Sequence, residues 1–125
     1  MTISDGTTTL TFNFSDDRGP ETRVVQTIRE SANGSLKFKT AGERIIFDDR
    51  PLVTGAELRS LLDLIHNGAS EYFYTPDTIP PEYSSSIFPL TCFVRYRGKR
   101  ESIWRDNARQ YFVRLEIQSK DLFNA

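Results

Sequence analysis

Polar and apolar residues alternate with period two from Thr7 to Phe14, where Leu10, Phe12 and Phe14 are separated by Thr11 and Asn13, as a half-buried strand requires. The same alternation returns at Leu90, Cys92, Val94 and Tyr96 and again at Tyr111, Val113, Leu115 and Ile117. Ser15-Asp16-Asp17-Arg18-Gly19-Pro20 reads as a polar turn or longer loop, because Gly and Pro punctuate the backbone and Asp caps locally. Arg23 to Glu30 predicts a strand. Ser31-Ala32-Asn33-Gly34 then predicts a hairpin turn, with Asn-Gly at the two positive-φ positions of a type I′ turn, and Leu36 and Phe38 resume the alternation. Ala41-Gly42 predicts a break, Glu43 to Phe47 another short strand, and Asp48-Asp49-Arg50-Pro51 a loop.

One segment changes period. Leu58, Leu61, Leu62 and Ile65 fall at i, i+3, i+4 and i+7, a helical stripe. Thr54 and Glu57 supply a T-x-x-E capping box ahead of it, and Gly68 is a natural left-handed residue to end it. A helix near 54–67 follows, packed on a sheet or over a barrel mouth. Glu71 to Thr75 is a short aromatic strand. Pro76 to Pro89 is an irregular connection stiffened by proline, Gly98-Lys99 a turn, and Ser102-Ile103-Trp104 a short strand. Short connections and period-two patterning predict a single α+β domain over residues 1–125, a small antiparallel barrel or two-sheet sandwich with one packed α-helix.

Composition supports the β-rich reading and narrows the chemistry. At 125 residues the chain fits one domain. Strand-forming Thr, Val, Ile and aromatic residues outnumber Ala, Leu and Met. Lys+Arg 16 against Asp+Glu 17 leaves a net charge of -1, so no global field draws the chain to nucleic acid or an anionic membrane. No apolar stretch is long enough to span a membrane. The N-terminal run has no basic residue before Arg18 and no apolar core, which predicts no secretory signal. Cys92 is the one cysteine and His66 the one histidine, so an intrachain disulfide, a Cys-rich zinc site and a metal site on two imidazoles are all excluded.

A Cys92-His66 dyad is a poor candidate, because Cys92 falls at a core position and His66 in the last helical turn, where a cation meets the helix dipole. The pairs Asp16-Asp17 and Asp48-Asp49 read as solvated turn formers, since neither has the spacing of a calcium loop. The chain has no G-x-S-x-G, P-loop or G-x-G-x-x-G. These residues predict no enzyme, no metal and no cofactor.

Two features favour contact instead. Residues 1–80 carry 8 basic and 12 acidic side chains, whereas 81–125 carry 8 and 5. Arg95, Arg97, Lys99, Arg100, Arg105 and Arg109 interleave with Tyr96 and Trp104, which suits either the acidic surface of a neighbouring subunit or, alternatively, a nucleic-acid backbone gripped by a small barrel. Tyr72, Tyr74, Tyr83 and Phe88 lie in or beside the proline-rich loop 76–89, where rigid aromatics make a contact surface. The candidate interface is therefore Tyr72, Tyr74, Tyr83, Phe88, Arg95, Arg97, Arg100, Trp104, Arg105 and Arg109.

The order of these motifs resembles a known family. Gly55 to Pro76 (GAELRSLLDLIHNGASEYFYTP), a Leu-rich helix ended by a Gly and leading into an aromatic strand, is similar to a segment of tailed-phage distal tail proteins and lambda-type minor tail protein M. Phe112-Val113-Arg114-Leu115-Glu116-Ile117 matches the final "V-x-L-E" strand of that family. T-L-T-F-N-F and V-V-Q-T-I-R-E-S-A-N-G-S-L-K-F resemble the opening half of short phage tail proteins. The resemblance implies a split β-barrel with a helix, assembled as a ring, a hexamer in the family. It implies a virion structural protein that joins the tail tube to the hub or baseplate, with itself, the tail-tube protein and hub or baseplate proteins as partners. Assembly would take place in the host cytoplasm, without membrane or nucleic acid.

Overall fold

The computed structural model describes the backbone of all residues except 14, 31, 33, 35, 106, 107, 124 and 125. It describes the side chains except those of 14–19, 27–31, 33, 35–41, 101–108, 124 and 125. Seven strands, β1 (Thr2–Ser4), β2 (Thr9–Thr11), β3 (Ser15–Glu30), β4 (Leu36–Thr54), β5 (Tyr72–Thr75), β6 (Leu90–Arg105) and β7 (Ala108–Ser119), form one antiparallel sheet in the order β2-β1-β5-β6-β7-β4-β3. Among the described residues one α-helix, α1 (Gly55–His66), lies between β4 and β5, and a single 3-10 turn spans Ser85–Ile87. The domain is α+β, as the patterning predicts. The sheet stays open, with β2 and β3 as its edges, so the barrel is not closed by hydrogen bonds among the described residues. Among these residues no helix is long and apolar enough to cross a membrane.

The helix forms where its local signals place it. Thr54 Oγ1 accepts from Glu57 N at 3.3 Å while Glu57 Oε1 accepts from Thr54 N at 3.0 Å, a complete capping box. Asn67 caps the C-terminus and Gly68 follows at φ +81°. Leu58, Leu61 and Leu64 are the buried residues, with Leu62 and Ile65 half-buried beside them, so the apolar stripe is centred one position round from the expected one. It faces β4, β6 and β7. Under it lie Ile45, Phe47 and Val53 of β4, Cys92 of β6, and Val113, Leu115 and Ile117 of β7, joined in one core by Ile3, Phe12, Tyr72, Tyr74 and Leu90.

Four segments expected to be turns, loops or a break are strand. Residues 15–20 open β3, pairing Ser15 with Pro51, Asp16 with Arg50 and Pro20 with Phe47, and a bulge lies between Asp17 and Pro20. Proline costs no ladder bond there because β3 is an edge strand. Ala41-Gly42 is a second bulge, opposite Val25, with Gly42 at φ +142°. Asp48 to Pro51 continue β4, with Asp48 paired to Glu116 and Asp49 to Leu115. Gly98-Lys99 likewise stays inside β6. Between Tyr96 and Lys99 two residues oppose the single Arg114, and Gly98 takes φ +109°, the backbone that a glycine bulge needs. β6 instead runs on to Arg105, which pairs with Ala108 at the start of β7. The β3–β4 hairpin closes between Glu30 and Leu36. Asn33, expected in its turn, and Phe14, expected to end the first strand, lie outside the described residues. That first strand is short, with only Thr9–Thr11 paired.

The register sends the two hairpins past each other. β4 pairs with β7 only from Ile46↔Gln118 to Thr54↔Gln110. Beyond Gly42 the β3–β4 hairpin continues as a two-stranded ribbon from Gln26↔Thr40 to Glu30↔Leu36, about 17 Å at 3.4 Å per residue. The tip of β6–β7 runs past Thr54 at the opposite end of the sheet. The base of the longer ribbon is braced by the chain after β7. Arg44 donates to the carbonyls of Ser119 and Lys120, Ser119 Oγ accepts from Ile45 N at 2.9 Å, and Glu43 and Phe123 exchange backbone bonds of 2.8 Å.

Candidate contact site

Side chains alternate across each strand, so the sheet face away from the core is determined by register. On β6, Cys92 is buried and Val94 and Tyr96 pack against the core, which turns Phe93, Arg95 and Arg97 outward. On β7 the same rule turns Phe112, Arg114 and Glu116 outward, and on β4 Asp48, Arg50 and Leu52. The bulge at Gly98 dents this face. It opens a cleft of about 410 Å³ whose lining includes Arg50, Arg97, Lys99, Arg100, Arg114 and Phe112.

Two carboxylates hold part of this charge. Arg114 grips Asp48 with both branches, Nε to Oδ1 and Nη2 to Oδ2, each at 3.2 Å. Arg50 Nη2 lies 3.4 Å from Asp48 Oδ2, and Arg97 Nη1 lies 3.9 Å from Glu116 Oε2. Lys99 Nζ stands 4.8 Å above the centre of the Tyr111 ring, a cation–π geometry. Arg50 Nε is buried and has no hydrogen-bond partner among the described residues.

The structure divides the ten residues expected at an interface. Tyr72 and Tyr74 are core residues, 5% and 0% exposed, because β5 lies between β1 and β6 and both rings point to the core face. The Tyr72 hydroxyl donates to the carbonyls of Leu64 and Ile65, tying β5 to the end of α1, and the Tyr74 hydroxyl donates to the buried carboxylate of Asp49. Neither belongs to a contact surface of the folded chain. Tyr83 and Phe88 are half-buried and pack on the same core, Phe88 edge-on to Phe47 at 6.1 Å. Burial, then the charges of Glu82 and Glu43, raise the Tyr83 phenol above its ordinary value. The proline-rich loop thus lays its aromatics largely on its own domain. Arg95, Arg97, Arg100 and Arg109 are exposed on the β6–β7 hairpin, and Arg97 and Arg100 meet at the cleft. The side chains of Trp104 and Arg105 lie outside the described residues.

Three contributors, Phe93, Arg50 and Arg114, escaped the sequence, and a fourth, Lys99, was named in the basic run but left out of the candidate interface. Phe93, 48% exposed, sits between core residues Cys92 and Val94, and the period-two pattern that assigns those two inward assigns Phe93 outward. Lys99 was in the basic run but in a supposed turn. Arg50 and Arg114 come from strands that only the β4–β7 register brings together.

No protein-family model, no curated protein and no solved structure matches the chain. The candidate chemistry therefore stands on geometry. Asp48 and Asp49 point to opposite faces of β4, one into ion pairs and the other onto Tyr74, so they do not act as a pair. The side chains of Asp16 and Asp17 lie outside the described residues. Among the described residues no group of three or more His, Cys, Asp or Glu side chains lies together. His66 is exposed at the end of α1. Cys92 is fully buried, with Sγ 3.5 Å from the Tyr72 carbonyl oxygen, and burial pushes its thiol up to about 12.

Cys92 makes one direct prediction. An unfolded thiol ionises near about 8.5, so the unfolded chain loses this proton first. Stability from this group is full below that pH and falls as pH rises toward 12. A thiol-reactive dye at about pH 8 is expected to label the native chain only as fast as it opens, and to label it promptly in denaturant. Prompt stoichiometric labelling of the native chain would show that Cys92 is accessible.

Proposed function

We propose that the chain is a structural subunit of a tailed-phage tail tip, assembling as a ring that joins the tail tube to the hub or baseplate. The observation that carries this reading is the offset of the two hairpins. Each runs past the shared sheet at an opposite end, β3 leaves its outer edge unpaired along its length, and β6 pairs with β5 only at Leu90 to Cys92. Unpaired edges and a projecting two-stranded ribbon give an isolated monomer little. In a ring of identical subunits the same edges and arms meet neighbours, and heterologous contacts close when the rotation per subunit divides the circle. The likeness of Gly55 to Pro76 and of Phe112 to Ile117 to distal tail proteins supports the same reading. The exposed arginines and Phe93 supply the residue types that protein interfaces favour.

The test is the native mass of the purified chain, alone and mixed with the tail-tube and hub proteins of the same virion. A closed integer multiple of the subunit mass, or a defined complex with either protein, is expected. A chain that stays monomeric, ignores both proteins and binds single-stranded DNA with steep salt dependence is instead a nucleic-acid module.

A further inference from the structure

The cleft at Gly98 holds more positive charge than the fold uses. Arg50, Arg97, Lys99, Arg100 and Arg114 meet there, against the two carboxylates Asp48 and Glu116, an excess of three cations among the described residues. Asp48 is shared between two arginines and Glu116 is held by Arg97 at a distance too long for a hydrogen bond. Arg50 Nε is a buried donor with no hydrogen-bond partner among the described residues, while its Nη2 reaches only Asp48 at 3.4 Å. Phe112 and Val113 contribute an apolar wall.

We propose that this cleft is a docking site for an acidic peptide segment of a partner protein, taking at least two carboxylates onto Arg97, Arg100 and Arg50. The class of partner rests on the reading of the chain as an assembly subunit. Guanidinium forks match carboxylates two bonds at a time. An extended peptide places its i and i+2 side chains on one face about 7 Å apart, so alternate carboxylates can reach different arginines of the cleft. A nucleic-acid strand fits less well, because Asp48 and Glu116 stand beside the arginines and interrupt a continuous phosphate track.

The experiment uses the purified full-length chain and a fluorescein-labelled hexaglutamate peptide at about 50 mM salt, where surface charge is only partly screened. Binding with a Kd of about 100 µM or tighter is expected, weakened about tenfold or more by Arg97→Glu. Arg59→Glu, on α1 and with the same change in net charge, is expected to leave it within about twofold. Arg100→Glu serves the same purpose if Arg97→Glu fails to fold. No binding up to about 1 mM peptide, or equal loss in Arg59→Glu, overturns the proposal. So does a tighter complex with an oligothymidylate of about 12 nucleotides, which assigns the cleft to nucleic acid. Native mass on the same samples separates the two readings. A monomer that binds the peptide through Arg97 keeps the cleft and removes the ring, and a ring that ignores the peptide does the reverse.

Discussion

Phe47→Ala is expected to cost about 3–5 kcal/mol of folding stability, the range for emptying a buried aromatic site. Phe47 lies in β4 and is fully buried. Its ring centre is 5.2 Å from that of Tyr74 at an interplanar angle of 55°, and 6.1 Å from that of Phe88 at 70°. One side chain therefore links β4, β5 and the 76–89 loop, three parts of the chain with no local reason to associate. Its loss removes transfer free energy, leaves a cavity, and forfeits two ring pairs worth about 0.5–1.5 kcal/mol each beyond area. Against a typical net stability of about 5–15 kcal/mol, the variant would stand near its unfolding threshold. Urea denaturation is the check. The midpoint should fall sharply with the slope unchanged, and a loss under about 1.5 kcal/mol would mean that β5 and the loop do not depend on this ring.

Leu61→Ala comes next, with an expected loss of about 2–5 kcal/mol. Leu61 is fully exposure-free at the middle of the buried face of α1, between Leu58 and Leu64. Alanine keeps helix propensity high, so the change isolates packing of the helix on β4, β6 and β7 from helix formation itself. The capping box remains intact in the variant. A cost below about 1 kcal/mol would show that the face is open to solvent, and the assignment of the core would fail with it.

How much of this was legible in the sequence depended on how local the signal was. The helix was readable because Thr54, Glu57 and Gly68 act on backbone groups within one turn. Tyr111 to Ile117 was readable because a strand at the centre of a sheet, with one face on the core, keeps strict alternation. Residues 15–20, 48–51 and 98–99 were misread because Gly, Pro and Asp are turn formers by local propensity, while partners far along the chain decide whether a bulge absorbs them. Asp49 is the sharpest case. It looks like a loop carboxylate until the Tyr74 hydroxyl is seen beside it. The same limit applied to the site. Arg97 and Arg100 stood out within a basic run, but Arg50 and Arg114 joined them only through the pairing of β4 with β7. Tyr72 and Tyr74 misled for the opposite reason, since an aromatic cluster beside prolines reads as surface until the sheet order places β5 inside.

The position of β7 bears on how incomplete copies behave. This strand is the one that hydrogen-bonds to both β6 and β4. Without it the sheet separates into β2-β1-β5-β6 and a detached β4–β3 ribbon, and α1 loses part of the floor it packs on. A chain truncated before Ala108 therefore has no smaller stable version of the domain to fall back on.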